Sequence, residues 1–297
     1  MNKDKVAVTG VQRFTVRDGP GVRTTIFFKG CSLRCKWCHN PETMSPEMEI
    51  CFHRKKCIGC GTCASVCPDG KFPQGCGAYV FESECVECGR CIDVCPVGAI
   101  EFAAKLMSVQ EILDAALRDR IFYRNGGGVT FSGGEPLLQP CLPQVLKALN
   151  EEGVHTAVDT ALNVPWENVE ATLKWTDLYL ADVKAMDRVR HRELTGVDNV
   201  RILDNLRRLS ETGVHIWIRI PVVPGINDDQ LQEIGDFIRS LKSGNIFVEL
   251  IPYHDMASEK YRSLEKTMPL TGIEPPRVEQ LEKYYDCMEE LNRVKYT

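Results

Sequence analysis

The residues best suited to chemistry are cysteines. The 297-residue chain has 15 of them, and 13 fall between Cys31 and Cys95. A secreted disulfide scaffold is short and spreads its cysteines throughout, whereas one dense block in a chain of this length indicates metal ligation. The first group, Cys31-x3-Cys35-x2-Cys38, supplies three thiolates with no fourth cysteine nearby. A four-iron cube held by three cysteines keeps one iron open to an outside ligand, the logic of a catalytic rather than a structural metal position. Cys141 or Cys287 could close the cube, but neither has motif context.

The other two groups repeat one another. CIGCGTCASVCP at 57–68 and CVECGRCIDVCP at 85–96 match at seven of twelve positions, offset by 28 residues. Each reads C-x2-C-x2-C-x3-C-P, the spacing of a [4Fe–4S] site in a two-cluster ferredoxin, where the fourth cysteine serves the other cluster. The expected ligand sets are Cys57, Cys60 and Cys63 with Cys95, and Cys85, Cys88 and Cys91 with Cys67. Structural zinc pairs two C-x2-C knuckles across a dozen or more residues and fits this spacing poorly. Cys51 and Cys76 lie in the same stretch and compete as ligands.

The elements that position these groups follow from periodicity. TTIFFK at 24–29 reads as a strand leading into the first cysteine group. Residues 49–103 are rich in loops and carry ten cysteines, so they read as an inserted small domain held by its metal sites. From Ser108 strands alternate with helices. Strands are expected at 129–132, 154–158, 177–183, 214–220 and 246–251. Helices are expected after a capping box at Ser108 and Glu111, over Leu142–Leu149, near 166–174, over 200–212 and 229–242, and near 277–293. Alternation of this kind gives parallel pairing through βα units. Six strands are fewer than the eight of a closed barrel, so a partial barrel and a doubly wound sheet both fit the pattern.

Gly133, Gly134, Glu135, Asp159, Thr160, Asp182, Lys184, Arg219 and His254 fall at or just past the expected C-terminal strand ends, where α/β folds bind ligands. Glycines there permit close backbone approach. Asp159, Thr160 and Asp182 offer hard oxygen ligands. Arg219, inside the apolar run WIRIPVV, needs a partner if buried.

Composition narrows the classes. The net charge is −5, with 43% apolar and 26% charged residues. That describes a chain with a substantial core and argues against a general nucleic-acid binder. No run of 18 apolar residues spans a membrane, and MNKDKVAVTG lacks an apolar signal region. A cytoplasmic location is expected.

C-x3-C-x2-C is the signature of the radical S-adenosylmethionine superfamily. DGPGVR (18–23), followed by FFKGCSLRCKWCHNPE (27–42), resembles the start of the activating enzymes of glycyl radical enzymes. SGGEP (132–136), VDT (158–160), DVK (182–184), RIPVVPG (219–225) and IPYH (251–254) continue the likeness in order. The inserted double motif is similar to that in activases of glycyl radical eliminases and decarboxylases. The resemblance implies a partial (β/α)6, TIM-like barrel at 1–48 and 104–297, with a ferredoxin-like two-cluster insert at 49–103. It implies three [4Fe–4S] clusters and S-adenosylmethionine chelated by the open iron.

One electron then cleaves the sulfonium, giving methionine and a 5′-deoxyadenosyl radical that takes hydrogen from a glycine Cα of a partner enzyme. By the same resemblance Cys31, Cys35, Cys38 and Lys184 are catalytic. Trp37, His39, Gly133, Gly134, Glu135, Asp159, Lys184, Arg219 and His254 bind the cofactor, with Gly133–Glu135 meeting its amino group. Asp159, Thr160 and Asp182, with the Leu180 carbonyl, hold a monovalent cation beside the substrate carboxylate. The Asp18–Arg23 loop, otherwise a tight turn, lies near the incoming glycyl loop. A flavodoxin or ferredoxin supplies the electron. Two rivals stand beside this reading: a radical enzyme acting on a small molecule, and a ferredoxin-like electron carrier with an appended α/β domain. The carrier would not need the group at Cys31.

Overall fold

The computed structural model describes residues 5–68, 86–242, 244–289 and 291–294. The expected ligand Cys85, and Cys76, lie outside them. Ten strands are described: β1 Lys5–Thr15, β2 Arg23–Phe28, β3 Ile50–Phe52, β4 Ile100–Phe102, β5 Lys105–Ser108, β6 Gly128–Gly133, β7 His155–Thr160, β8 Leu178–Asp182, β9 His215–Val222 and β10 Ile246–Pro252. Eight form one sheet in the order β10-β9-β8-β7-β6-β2-β1-β5, and β3 pairs with β4.

The six expected strands are β2 and β6 to β10, and they run parallel to one another. Strands β1 and β5 extend the sheet by antiparallel pairing and were not expected. The alternation of β1 is interrupted by register shifts at Val8–Gly10 and Gln12–Thr15. Bulges of that kind erase the two-residue period by which a strand is recognised.

Helices Leu142–Glu151, Trp166–Leu173, Val200–Ser210 and Leu231–Arg239 follow the apolar spacing. Helix Val109–Leu117 opens on the Ser108/Glu111 capping box, with both reciprocal hydrogen bonds present. The C-terminal helix, Val278–Asp286, is shorter than the 277–293 stretch expected. Leu142, Val145, Leu146 and Leu149 are wholly buried. Each such side chain contributes about 1.5–3 kcal/mol, so packing rather than propensity holds the helix.

These helices pack on one face of the sheet, against Val129, Phe131, Val158, Tyr179, Ile218 and Val248. The opposite face carries a small apolar group, Ala157, Leu178, Leu180 and Trp217, with no helix residue in it. The same face carries Thr130, Ser132, Asp159, Asp182, Arg219 and Glu249, placed there by the two-residue period. A doubly wound sheet buries both faces under helices. A one-sided, mostly parallel sheet with a polar inner face, whose end strands β10 and β5 do not pair with each other, has the architecture of a partial TIM barrel.

Between β3 and β4 the sequence repeat is also a backbone repeat. Gly59 and Glu87, 28 residues apart, both have positive φ (70° and 50°). Gly61 and Gly89 do too (74° and 75°), and each precedes a short helix, Thr62–Val66 and Arg90–Asp93. Ala64 N–H donates to the Gly61 carbonyl at 3.0 Å, and Ile92 N–H to that of Gly89 at 2.9 Å. The β3–β4 ribbon, pairing Ile50 with Phe102, closes the segment at its base.

Candidate active site

The first cysteine group follows β2 directly, and its backbone is fixed from three sides. Gly30 N–H donates to the Thr43 carbonyl at 2.7 Å and Cys31 N–H to that of Met44 at 3.1 Å. Arg34 and Lys36 N–H groups donate to the carbonyls of Thr195 and Leu194 at 2.6 and 2.9 Å. Ser32 Oγ donates to the Asn163 carbonyl at 3.2 Å. Leu194 and Thr195 end a helix, Arg188–Thr195, that periodicity missed because RVRHRELT has no apolar stripe. The Asp187 cap and left-handed Gly196 are the only local signals of that helix.

The three thiols are half-buried. Desolvation pushes Cys31 and Cys35 up to about 12 and Cys38 up to about 11. Thiolates at neutral pH therefore need a metal to stabilise them. Backbone N–H groups of Leu33 and Asn40 reach Cys31 Sγ and Cys38 Sγ at 3.4 Å. Among the described residues no three His, Cys, Asp or Glu side chains could hold a metal ion together. A four-iron cube separates its thiolates across its corners, and the soft donor set on this loop fits it.

Gly133 and Gly134 pack behind this loop. A Cβ on Gly133, whose φ is +109°, would stand 2.4 Å from the backbone N and O of Phe28. A Cβ on Gly134 would stand 2.1 Å from the Gly30 carbonyl oxygen. The close approach these glycines permit is thus to the chain's own cysteine loop. Glu135 is wholly buried and accepts from Thr160 Oγ1 at 2.7 Å and from the Ala161 and Leu137 N–H groups at 3.0 and 3.2 Å. Burial pushes its carboxyl up to about 7 despite those donors.

This corrects the expectation for Thr160. Adjacent strand residues face opposite ways, so Thr160 turns from the Asp159 face into the core. Its hydroxyl is used by Glu135 and by the Leu162 N–H at 2.9 Å, and is not available as a side-chain ligand beside Asp159.

On the inner face, Ser132 Oγ donates to Asp159 at 2.6 Å. Arg219 lies 3.3 Å from Asp159 and 3.3 Å from Glu249. Arg219 is three residues before the end of β9, not at its tip, but it pairs in register with Asp182, the last residue of β8. Burial pushes Asp159 up to about 6, with Arg219 pulling the other way. Burial also opposes the Arg219 charge, but Asp159 and Glu249 outweigh it and raise its pKa. Lys184 Nζ donates to Asp182 at 2.5 Å. Burial opposes this ammonium too, and Asp182 and then Cys35 more than offset it, raising its pKa. Glu249 was missed because IFVELI reads as uninterrupted core. Asn227 was missed as well; its Nδ2 donates to the Lys184 and Pro221 carbonyls at 2.9 and 2.7 Å, linking the ends of β8 and β9.

His39 and His254, 215 residues apart, stack with ring centroids 3.9 Å apart, and His39 Nε2 lies 3.1 Å from the His254 carbonyl. Burial, and then His254, push His39 down to about 4. His254 Nδ1 is buried without a hydrogen-bond partner, as expected of a polar atom kept for a ligand. The indole of Trp37 is buried in an apolar layer with Leu194, Val223, Tyr253 and Tyr261.

The Asp18–Arg23 turn is more than a loop. Thr130 Oγ1 donates to the Asp18 carbonyl at 2.6 Å, and Thr25 Oγ1 to its carboxylate at 2.7 Å. Arg23 is wholly buried and donates to Thr130 Oγ1 and to the Gly126 and Val129 carbonyls at 2.7, 2.8 and 2.8 Å. It is a structural clamp between the turn and the start of β6.

A parallel sheet with three thiols beyond its first strand defines the class. Residues 25–238 match the Radical SAM superfamily, and the chain belongs to it. Within that superfamily its relatives include activating enzymes. It is 40% identical over 291 residues to the trans-4-hydroxy-L-proline dehydratase activating enzyme of Clostridioides difficile, covering 96% of each chain. It is 36% identical to the (2S)-3-sulfopropanediol dehydratase activating enzyme of Klebsiella oxytoca, covering 94% of this chain and 93% of that one. Among solved structures, TYW1 with a lysine-pyruvate adduct matches with TM-score 0.52 at 14% identity, over 91% of this chain and 74% of that one, a likeness of fold. The chain is an activating enzyme of the glycyl radical enzyme type.

Proposed function

We propose that this enzyme installs a radical on a glycine Cα of its partner, with Cys31, Cys35 and Cys38 holding the [4Fe–4S] cluster that binds S-adenosylmethionine. The observation that carries the reading is the cysteine loop seated on Gly133 and Gly134 at the C-terminal edge of the parallel sheet. When bound there, a reduced cluster with one open iron supplies the electron that cleaves the sulfonium. Trp37, His39 and the unpartnered His254 form one wall of the cofactor site. Gly133 and Gly134 form its floor, and the buried Glu135 supports that floor from the core side. Lys184, Asp159 and Arg219 neutralise and orient charged groups on the inner face, and Asp159 with Asp182 is the candidate pair for a monovalent cation.

Residues 49–103 are proposed as a ferredoxin-like domain with two further [4Fe–4S] clusters, making three. The matching backbone of the two repeats supports this, as does the packing of Cys57, Cys63 and Cys95 on one apolar group. These clusters would relay electrons from a flavodoxin or ferredoxin, or dock the partner. No described helix is long and apolar enough to cross a membrane, and the cytoplasm is the proposed location.

The test mixes reduced holoenzyme, S-adenosylmethionine and a panel of glycyl radical enzymes without oxygen. A glycyl EPR doublet should appear on one of them, with 5′-deoxyadenosine formed in proportion. Deoxyadenosine made only in step with turnover of a small molecule would favour the small-molecule rival.

A further inference from the structure

Helix Ser258–Ser263 carries Tyr261, which is 3% exposed. Its Oη is buried and has no hydrogen-bond partner. The neighbouring Tyr253 differs, since its hydroxyl donates to the Leu270 carbonyl at 3.4 Å. A buried hydroxyl without a partner is unfavourable and uncommon in native chains. The Tyr261 ring lies in the apolar layer that includes Trp37 and Leu194, and Cys35 packs on that layer. Burial raises the pKa of this phenol, and the neighbouring acidic groups Cys38 and Cys35, ahead of Glu42, raise it further. Glu42 Oε1 accepts from Lys260 at 2.6 Å, while its Oε2 is buried without a hydrogen-bond partner and is the rival acceptor for this hydroxyl.

We infer that Tyr261 donates its hydroxyl hydrogen to a sulfur of the cluster held by Cys31, Cys35 and Cys38, and so raises that cluster's reduction potential. The inference rests on the proposed role of those cysteines. Tyr261 is a positioning residue that does not touch the reacting atoms. A hydrogen bond to sulfur stabilises the reduced, more negative cluster over the oxidised one, a recognised lever on iron–sulfur potentials. A donor to a charged acceptor in a dry site changes the reduced-to-oxidised ratio about tenfold, equal to about 59 mV for a one-electron couple. The same hydroxyl would favour loading the electron before S-adenosylmethionine is cleaved.

The test is an EPR-monitored redox titration of wild-type holoenzyme and Tyr261→Phe, with the auxiliary clusters as internal reference. At a fixed potential the variant's ratio of reduced to oxidised first cluster should fall about tenfold, with the auxiliary clusters unmoved and the iron content unchanged. An unmoved potential, or weaker S-adenosylmethionine binding at the wild-type potential, overturns the inference while leaving the proposed function standing. Tyr261→3-fluorotyrosine keeps the ring and strengthens the donor. It should move the potential in the opposite direction, and it decides the matter if the phenylalanine variant loses the cluster. If wild-type protein assembles no cluster on Cys31, Cys35 and Cys38, both the inference and the proposed function fall.

Discussion

Gly134 meets Gly30 so closely that a side-chain carbon at 134 would stand 2.1 Å from the Gly30 carbonyl oxygen, the atom that accepts from Glu135 N–H at 2.8 Å. The cysteine loop is thereby seated on the end of β6, and the packing requires a residue without Cβ. Gly134→Ala should displace residues 30–31 and lose the first cluster while the auxiliary clusters assemble. Gly244→Ala is the control, since nothing lies within 4 Å of its added Cβ. Iron and sulfide content, with EPR of each cluster, checks the pair.

Arg23 anchors the turn that precedes β2. Replacement by Met removes one donor group from two buried carbonyls and from Thr130 Oγ1, which keeps its own bond to the Asp18 carbonyl. Each unsatisfied group costs about 1–3 kcal/mol, so a loss of roughly 2 kcal/mol or more is expected in denaturant unfolding of apo protein. A loss below about 1 kcal/mol would show that the clamp is dispensable.

Thr160→Val preserves shape and deletes the hydroxyl that serves Glu135. The expected cost is about 1–3 kcal/mol, and it should not depend on whether sodium or potassium is present. A loss that depended on the cation would return Thr160 to the ion-binding role first expected for it.

His155 lies 3.3 Å from the Arg23 guanidinium through Nδ1. Burial, and then Arg23, push it down to about 4 from an ordinary 6.5. Between those values the unfolded chain binds the proton and the folded chain does not, so stability falls as pH drops through that window. His155→Asn keeps an acceptor towards Arg23 and removes the titration. Its unfolding free energy should vary less than wild type between about pH 6.5 and 4.

Much of the site could be read from the sequence because its signals are local. Thiol spacing is a property of one loop, and strand-end position follows from alternation, so the placing of Cys31, Asp182, Lys184 and His254 at or just past strand ends was legible without coordinates. What stayed hidden depends on distant packing. DGPGVR reads as a turn, and nothing local says that Arg23 is buried. RVRHRELT reads as solvated, yet its last two carbonyls hold the cysteine loop. Glu249 was hidden in an apolar strand until Arg219 appeared across from it. The Thr160 side chain turns away from Asp159 for a reason present in the sequence: neighbours on a strand point to opposite faces.

The most direct test of the account follows one hydrogen atom. A glycyl radical enzyme that this protein activates is prepared with deuterium at its glycine Cα and mixed with reduced enzyme and S-adenosylmethionine without oxygen. The account predicts that the 5′-deoxyadenosine formed carries one deuterium and that the partner shows a glycyl radical. Unlabelled deoxyadenosine formed while the partner becomes radical-bearing would contradict direct abstraction from the glycine.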